Sequence, residues 1–158
     1  MKFSNIIATW FGSGLAAKAP GTFGSTGTIP LAILLAYFSG IYGLVAAAAL
    51  LFFVGVWATN EVIKDSDEKD PSEVVIDETV GVLTTFSFVT PYLNHTMHNW
   101  WIYLAGFVLF RFFDIVKFGP VKYFDKMKNA WGVMLDDVIA GLLAGGVLYC
   151  ICYYVFMQ

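Results

Sequence analysis

Charge is absent from most of this chain, and the pattern of its absence limits what the chain can become. Residues 19–60, 79–110 and 138–158 contain no Asp, Glu, Lys or Arg, in runs of 42, 32 and 21 residues. A helix crossing a bilayer needs about 20 apolar residues, with a range of about 17 to 25. The third run is one crossing. The first is long enough for two short ones, with a break at Ser39-Gly40-Ile41-Tyr42-Gly43. The second breaks at Thr90-Pro91-Tyr92-Leu93-Asn94-His95. Its halves, 79–89 and 100–110, are short for a full span unless they extend into the flanking polar stretches. Composition agrees: 58% of residues are apolar and 13% charged, against about 45–50% and about 25% in soluble domains. A soluble globule, a disordered chain and collagen are excluded. With 9 basic and 12 acidic residues and a net charge of −3, so is nucleic-acid binding.

The 158 residues make one domain, 1–158, an all-α polytopic membrane bundle with short or re-entrant helices. Its charges fall in three blocks, 1–18, 61–78 and 111–137. If each long apolar run is a hairpin, all three blocks lie on one side. If each is a single span, block 61–78 faces away from block 111–137. Either way, Arg111, Lys117, Lys122, Lys126 and Lys128 face the cytoplasm by the positive-inside rule. In the hairpin topology Tyr92, Trp100, Trp101, Tyr103, Tyr149, Tyr153 and Tyr154 mark the far interface, and Trp10, Phe11 and Trp131 the near one. The N-terminus reads as an interfacial amphipathic helix (Phe3, Ile6, Ile7, Trp10, Phe11) without a cleavable signal.

Two acid pairs stand just before apolar runs: Asp77-Glu78, followed by Gly81, and Asp136-Asp137, followed by Gly141. Between them, Arg111, Asp114 and Lys117 recur at i, i+3 and i+6 and share one side of a helix. Acids at a membrane boundary are costly unless paired, hydrated or metal-bound. One pair alone could simply favour a helix dipole. Five converging acids, Asp77, Glu78, Asp114, Asp136 and Asp137, call for a divalent cation, and hard oxygen ligands select Mg²⁺ or Mn²⁺. Neighbours on a helix point about 100° apart, so in each pair one acid is a direct ligand and the other orients water; which is which stays open. Convergence requires the hairpin topology. The two glycines would allow close helix approach.

A glycine-rich stretch, 9–14 and 19–28, leads into the first apolar run. Its exposed amides and small hydroxyls suit a phosphate, although composition alone also fits a plain turn. It has no P-loop ending, so it does not imply a nucleotide. Cysteine-phosphatase chemistry fails, because Cys150 and Cys152 lie in the last apolar run and Arg111 is the one arginine. The two cysteines, two positions apart, read as free thiols. A histidine nucleophile fails too: His95 and His98 fall in the far break and read as solvated. Metal-assisted attack by water is left.

With these motifs the chain resembles the phosphatidylglycerophosphatase A family. The resemblance covers about residues 8–150 and rests on four stretches in order: 9–14 with 19–25, 76–78 with Gly81, 110–117, and 132–141. It implies Mg²⁺-dependent hydrolysis of phosphatidylglycerophosphate to phosphatidylglycerol and phosphate at the bacterial inner membrane. On this reading Glu78, Asp114 and Asp137 hold Mg²⁺, with Asp77 and Asp136 as further ligands or as the water-orienting base. Lys117 and Arg111 hold the substrate phosphate, joined by Thr22 and Ser25. The site faces the cytoplasm. Two other classes are weighed: a divalent-cation transporter, which predicts acids in mid-helix, and a non-catalytic membrane scaffold.

Overall fold

A computed structural model describes residues 2–66, 71–93 and 99–157. The described residues form helices α1 (Phe3–Ala8), α2 (Pro20–Asp65), α3 (Ile76–Ser87), α4 (Trp100–Val116), α5 (Pro120–Asp125) and α6 (Ala130–Phe156), with no strand among them.

Unbroken, the 46 residues of α2 would reach about 69 Å at 1.5 Å per residue. They do not, because Gly40 leaves helical geometry at φ 58°, ψ −146°, a region nearly reserved for glycine. The chain reverses there. A Cβ on Gly24 would fall 2.8 Å from Val75, and one on Gly55 would fall 3.4 Å from Ile76. The two halves of α2 therefore return to adjacent residues at the start of α3. Lys2 pairs with Asp65 at 2.6 Å at that same end. The second break lies at the opposite end: Thr90 sits against Gly40, and Tyr92 meets Tyr149 and Phe156 near the end of α6. The expected hairpins and their shared turning end are both present.

α3 is the core of the bundle. Ten of its 12 residues are buried, packed by both halves of α2, by α4 and by α6. Small residues let the helices close on it. Gly81 abuts the Phe110 ring and the Asp137 carbonyl, and Gly141 faces the Gly81 carbonyl. The Thr85 hydroxyl donates to the Gly81 carbonyl at 3.0 Å and lies 3.3 Å from that of Gly141. Below the acids the core is apolar, with Val80, Leu83, Phe86, Ile102 and Phe110 at 1% exposure or less.

α4 extends past the apolar run to Val116 and so carries Arg111 and Asp114 within a helix. α6 starts at Ala130, eight residues before its charge-free run, with Asn129 Oδ1 accepting from Gly132 N at 2.8 Å as its N-cap. Both α2 and α6 are long and apolar enough to cross a bilayer. Phe38, Phe53, Trp57 and Tyr154 stand exposed on them, a surface suited to lipid rather than water. Cys150 is exposed and Cys152 buried, both free thiols. His95 and His98 lie outside the described residues.

Candidate active site

The charged groups gather at the end of the bundle away from the two breaks. A recess of about 310 Å³ is lined there by Asp77 and Glu78 of α3, Arg111 and Asp114 of α4, Lys117 just beyond it, and Asp136 and Asp137 of α6. Ala19, Pro20, Gly21, Pro71, Ser72, Val74 and Val133 complete its wall. That volume is at the lower end for ligand sites, about 300 to 1,000 Å³. A larger apolar groove of about 440 Å³ between α2, α3 and α6 contains no titratable side chain and offers no chemistry.

Each group arrives for a local reason. Asp77 and Glu78 sit in the first turn of α3, where the helix dipole favours negative charge. Asp77 Oδ1 accepts from the Glu78 amide at 2.9 Å. The dipole does not explain Asp136 and Asp137. They lie well inside α6, whose end is already capped by Asn129, and Asp137 is 3% exposed. The charges that bear on Asp137 are those of Asp114, Asp77, Asp136 and Glu78.

Arg111 stands between two helices' acids. Its Nη1 is 2.9 Å from Glu78 Oε1 and 2.7 Å from Asp114 Oδ2. Lys117 takes a left-handed conformation at the end of α4 (φ 48°). That turns its ammonium to Asp125 of α5 and to Asp136, 3.3 Å away. Partial burial acts to lower the Lys117 pKa. The Asp125 hydrogen bond and the Asp136 charge outweigh it and hold the group above the ordinary lysine range.

The glycine-rich stretch mainly supports the acids. A Cβ on Gly21 would collide with the Glu78 carboxylate, and one on Gly24 would press on Val75. Ser25 is buried, and its hydroxyl lies between the Gly21 carbonyl, at 2.8 Å, and Glu78 Oε2. Thr28 and Thr79 hydroxyls meet at 2.9 Å one turn below. Of the two expected phosphate donors, Ser25 thus holds Glu78. Thr22 is exposed and stands outside the recess lining. Its position two residues into α2 turns it outward while Gly21, Gly24 and Ser25 turn inward. Asp125, which fixes Lys117, carries no sequence signal, lying among lysines in block 111–137.

Among the described residues, no three acidic, histidine or cysteine side chains are already gathered as a cation-holding group. The donor set still fits a hard divalent cation. Five carboxylates line the recess against two cations, and the buried Asp137 Oδ2 has no hydrogen-bond partner among the described residues. Buried negative charge left unmatched is expensive, and carboxylate oxygens are the ligands Mg²⁺ takes.

The family model described as phosphatidylglycerophosphatase A matches residues 6–152. A phosphatidylglycerophosphatase A of Haemophilus influenzae is 38% identical, over 95% of this chain and 89% of its own length. One of Escherichia coli is 33% identical, over 98% and 88%. A Bacteroides thetaiotaomicron protein, whose name provisionally gives it phosphatidylinositol-3-phosphatase activity, is 39% identical over 87% and 86%. No solved structure matches the chain. The family match runs through every residue of the recess, and the chain belongs to the phosphatidylglycerophosphatase A family.

Proposed function

We propose that this recess cleaves the terminal phosphate monoester of phosphatidylglycerophosphate at the cytoplasmic face of the bacterial inner membrane, with Mg²⁺ as cofactor. The observation that carries the reading is the convergence of five acids and two cations in one recess of an otherwise apolar bundle. Glu78, Asp114 and Asp137 would hold the ion, with Asp77 and Asp136 as further ligands or as the base. Bound there, Mg²⁺ supplies Lewis-acid polarisation of a phosphoryl oxygen.

The chain's own groups do the rest. Lys117, kept protonated by Asp125 and Asp136, is a fixed positive charge for the phosphate oxygens. Arg111 is the second. Here it neutralises Glu78 and Asp114, and it turns to the phosphate once a cation takes over that task. Asp77 or Asp136 accepts a proton as water oxygen bonds to phosphorus. The bond from phosphorus to the glycerol oxygen breaks, that oxygen takes a proton from solvent, the acid returns its proton to solvent, and phosphatidylglycerol and phosphate leave. The recess sits atop apolar helices, so the acyl chains stay in lipid while the phosphate reacts. The basic residues at this end support a cytoplasmic orientation.

A cation pathway is not favoured, because Val80, Leu83 and Phe86 close the core below the acids. The test is phosphate release from phosphatidylglycerophosphate in detergent with Mg²⁺. Phosphatidylinositol 3-phosphate serves as a second substrate, prompted by the Bacteroides relative's name. Turnover of the first, lost in Asp77→Asn, is the expected result. Wild-type turnover in that variant and in Asp137→Asn contradicts the site assignment.

A further inference from the structure

The segment from Lys117 to Trp131 differs in sign from the rest of the protein. The chain as a whole carries −3, yet this stretch holds four lysines and one acid, Asp125. Asp125 is already engaged by Lys117. Lys122, Lys126 and Lys128 are therefore left uncompensated within the segment. All three are exposed, and none enters an ion pair among the described residues.

Large apolar side chains stand out beside these lysines. Phe118, Tyr123 and Met127 are 67%, 69% and 43% exposed. They are not surplus core, because the inner side of the elbow is filled separately. Val121 is fully buried, and a Cβ on Gly132 would fall 2.8 Å from the Phe124 carbonyl. The outer side thus alternates cations with aromatic and thioether groups, and its inner side reaches the recess through Asp125 and Lys117.

We infer that this elbow is a docking surface for anionic phospholipid headgroups. It holds them beside the recess, so that an anionic lipid is enriched where its phosphate is handled. Charge complementarity selects this occupant. Three unmatched lysines favour an anionic surface, and exposed aromatic and apolar groups beside them insert at the headgroup level. A zwitterionic lipid satisfies the apolar groups but gains nothing from the lysines. The role as a feed for the recess rests on the phosphatase reading; the lipid preference itself does not.

The test separates the two. The full chain is reconstituted in bilayers carrying spin-labelled phosphatidylglycerol or phosphatidylcholine, and the motionally restricted fraction of each is compared. The wild type should restrict phosphatidylglycerol roughly threefold or more over phosphatidylcholine at low salt. The preference should fall towards unity at about 0.5 M salt, where screening is short-ranged. The triple variant Lys122→Gln/Lys126→Gln/Lys128→Gln should lose it at any salt, and the charge reversal Lys122→Glu/Lys126→Glu should invert it. These side chains are exposed, so the variants should fold like the wild type. An equal preference in wild type and triple variant, or none in the wild type, overturns the inference. Should the preference hold while phosphatidylglycerophosphate is not hydrolysed, the phosphatase reading fails and the docking surface stands. With both sound, the triple variant raises the apparent KM several-fold and leaves kcat within about twofold.

Discussion

Arg111 Nη1 lies 2.9 Å from Glu78 and 2.7 Å from Asp114, so one guanidinium ties the start of α3 to the end of α4. The pairing joins two charge blocks that the sequence separates by a charge-free run of 32 residues.

Replacing Arg111 by Met should leave two largely buried carboxylates, Glu78 and Asp114 at 12% and 16% side-chain exposure, without their cation. Removing one partner of such a cluster costs about 3–5 kcal/mol, a fall in unfolding temperature of about 10 °C for a domain of this size. If the proposed Mg²⁺ site is correct, added Mg²⁺ should take over the neutralisation and recover part of the loss. Thermal unfolding in detergent with and without Mg²⁺ checks both.

Asp125→Asn should release Lys117 from one side. The folded protein holds Lys117 above its ordinary value of 10.5. The stability this supplies is present in full below that pH and is lost as pH rises towards the folded value. The margin by which the wild type's unfolding temperature exceeds the variant's should therefore be constant up to about pH 10.5 and shrink at more alkaline pH. With Lys117 less fixed, the KM for substrate should rise more than kcat falls.

Gly81→Ala should disrupt the site without touching a charged group. A Cβ there would meet the Phe110 ring and lie 2.8 Å from the Asp137 carbonyl, so α6 has to move away from α3. Overpacking of this kind costs about 1–3 kcal/mol. Moving a carboxylate by about 1 Å is expected to cut turnover about 100-fold. Gly27→Ala is the control. Nothing lies within 4 Å of its Cβ position, and alanine there should stabilise the helix by up to about 1 kcal/mol.

The placement of charge made much of this architecture readable in advance. Gly40 and Thr90-Pro91 interrupt the two long apolar runs, and both become turns at the same end. The acid pairs and the spacing from Arg111 to Lys117 gave the composition of the recess. Other features depend on three-dimensional neighbours. Gly21, Gly24 and Ser25 look like a phosphate loop in one dimension, yet they are the small residues against which Glu78 and Val75 pack. Asp125 gains its partner only because Lys117 takes a left-handed turn. α6 begins at Ala130 because Asn129 caps it, a local signal that the search for charge-free runs passed over.

The central claim is that the buried Asp137, whose Oδ2 has no hydrogen-bond partner among the described residues, belongs to a cation-dependent phosphatase site. Phosphate release from phosphatidylglycerophosphate in detergent micelles tests it most directly, comparing wild type and Asp137→Asn with Mg²⁺ and after chelation. The account predicts wild-type turnover that requires Mg²⁺ and falls about 100-fold or more in the variant. Equal turnover after chelation, or unchanged turnover in Asp137→Asn, would contradict it.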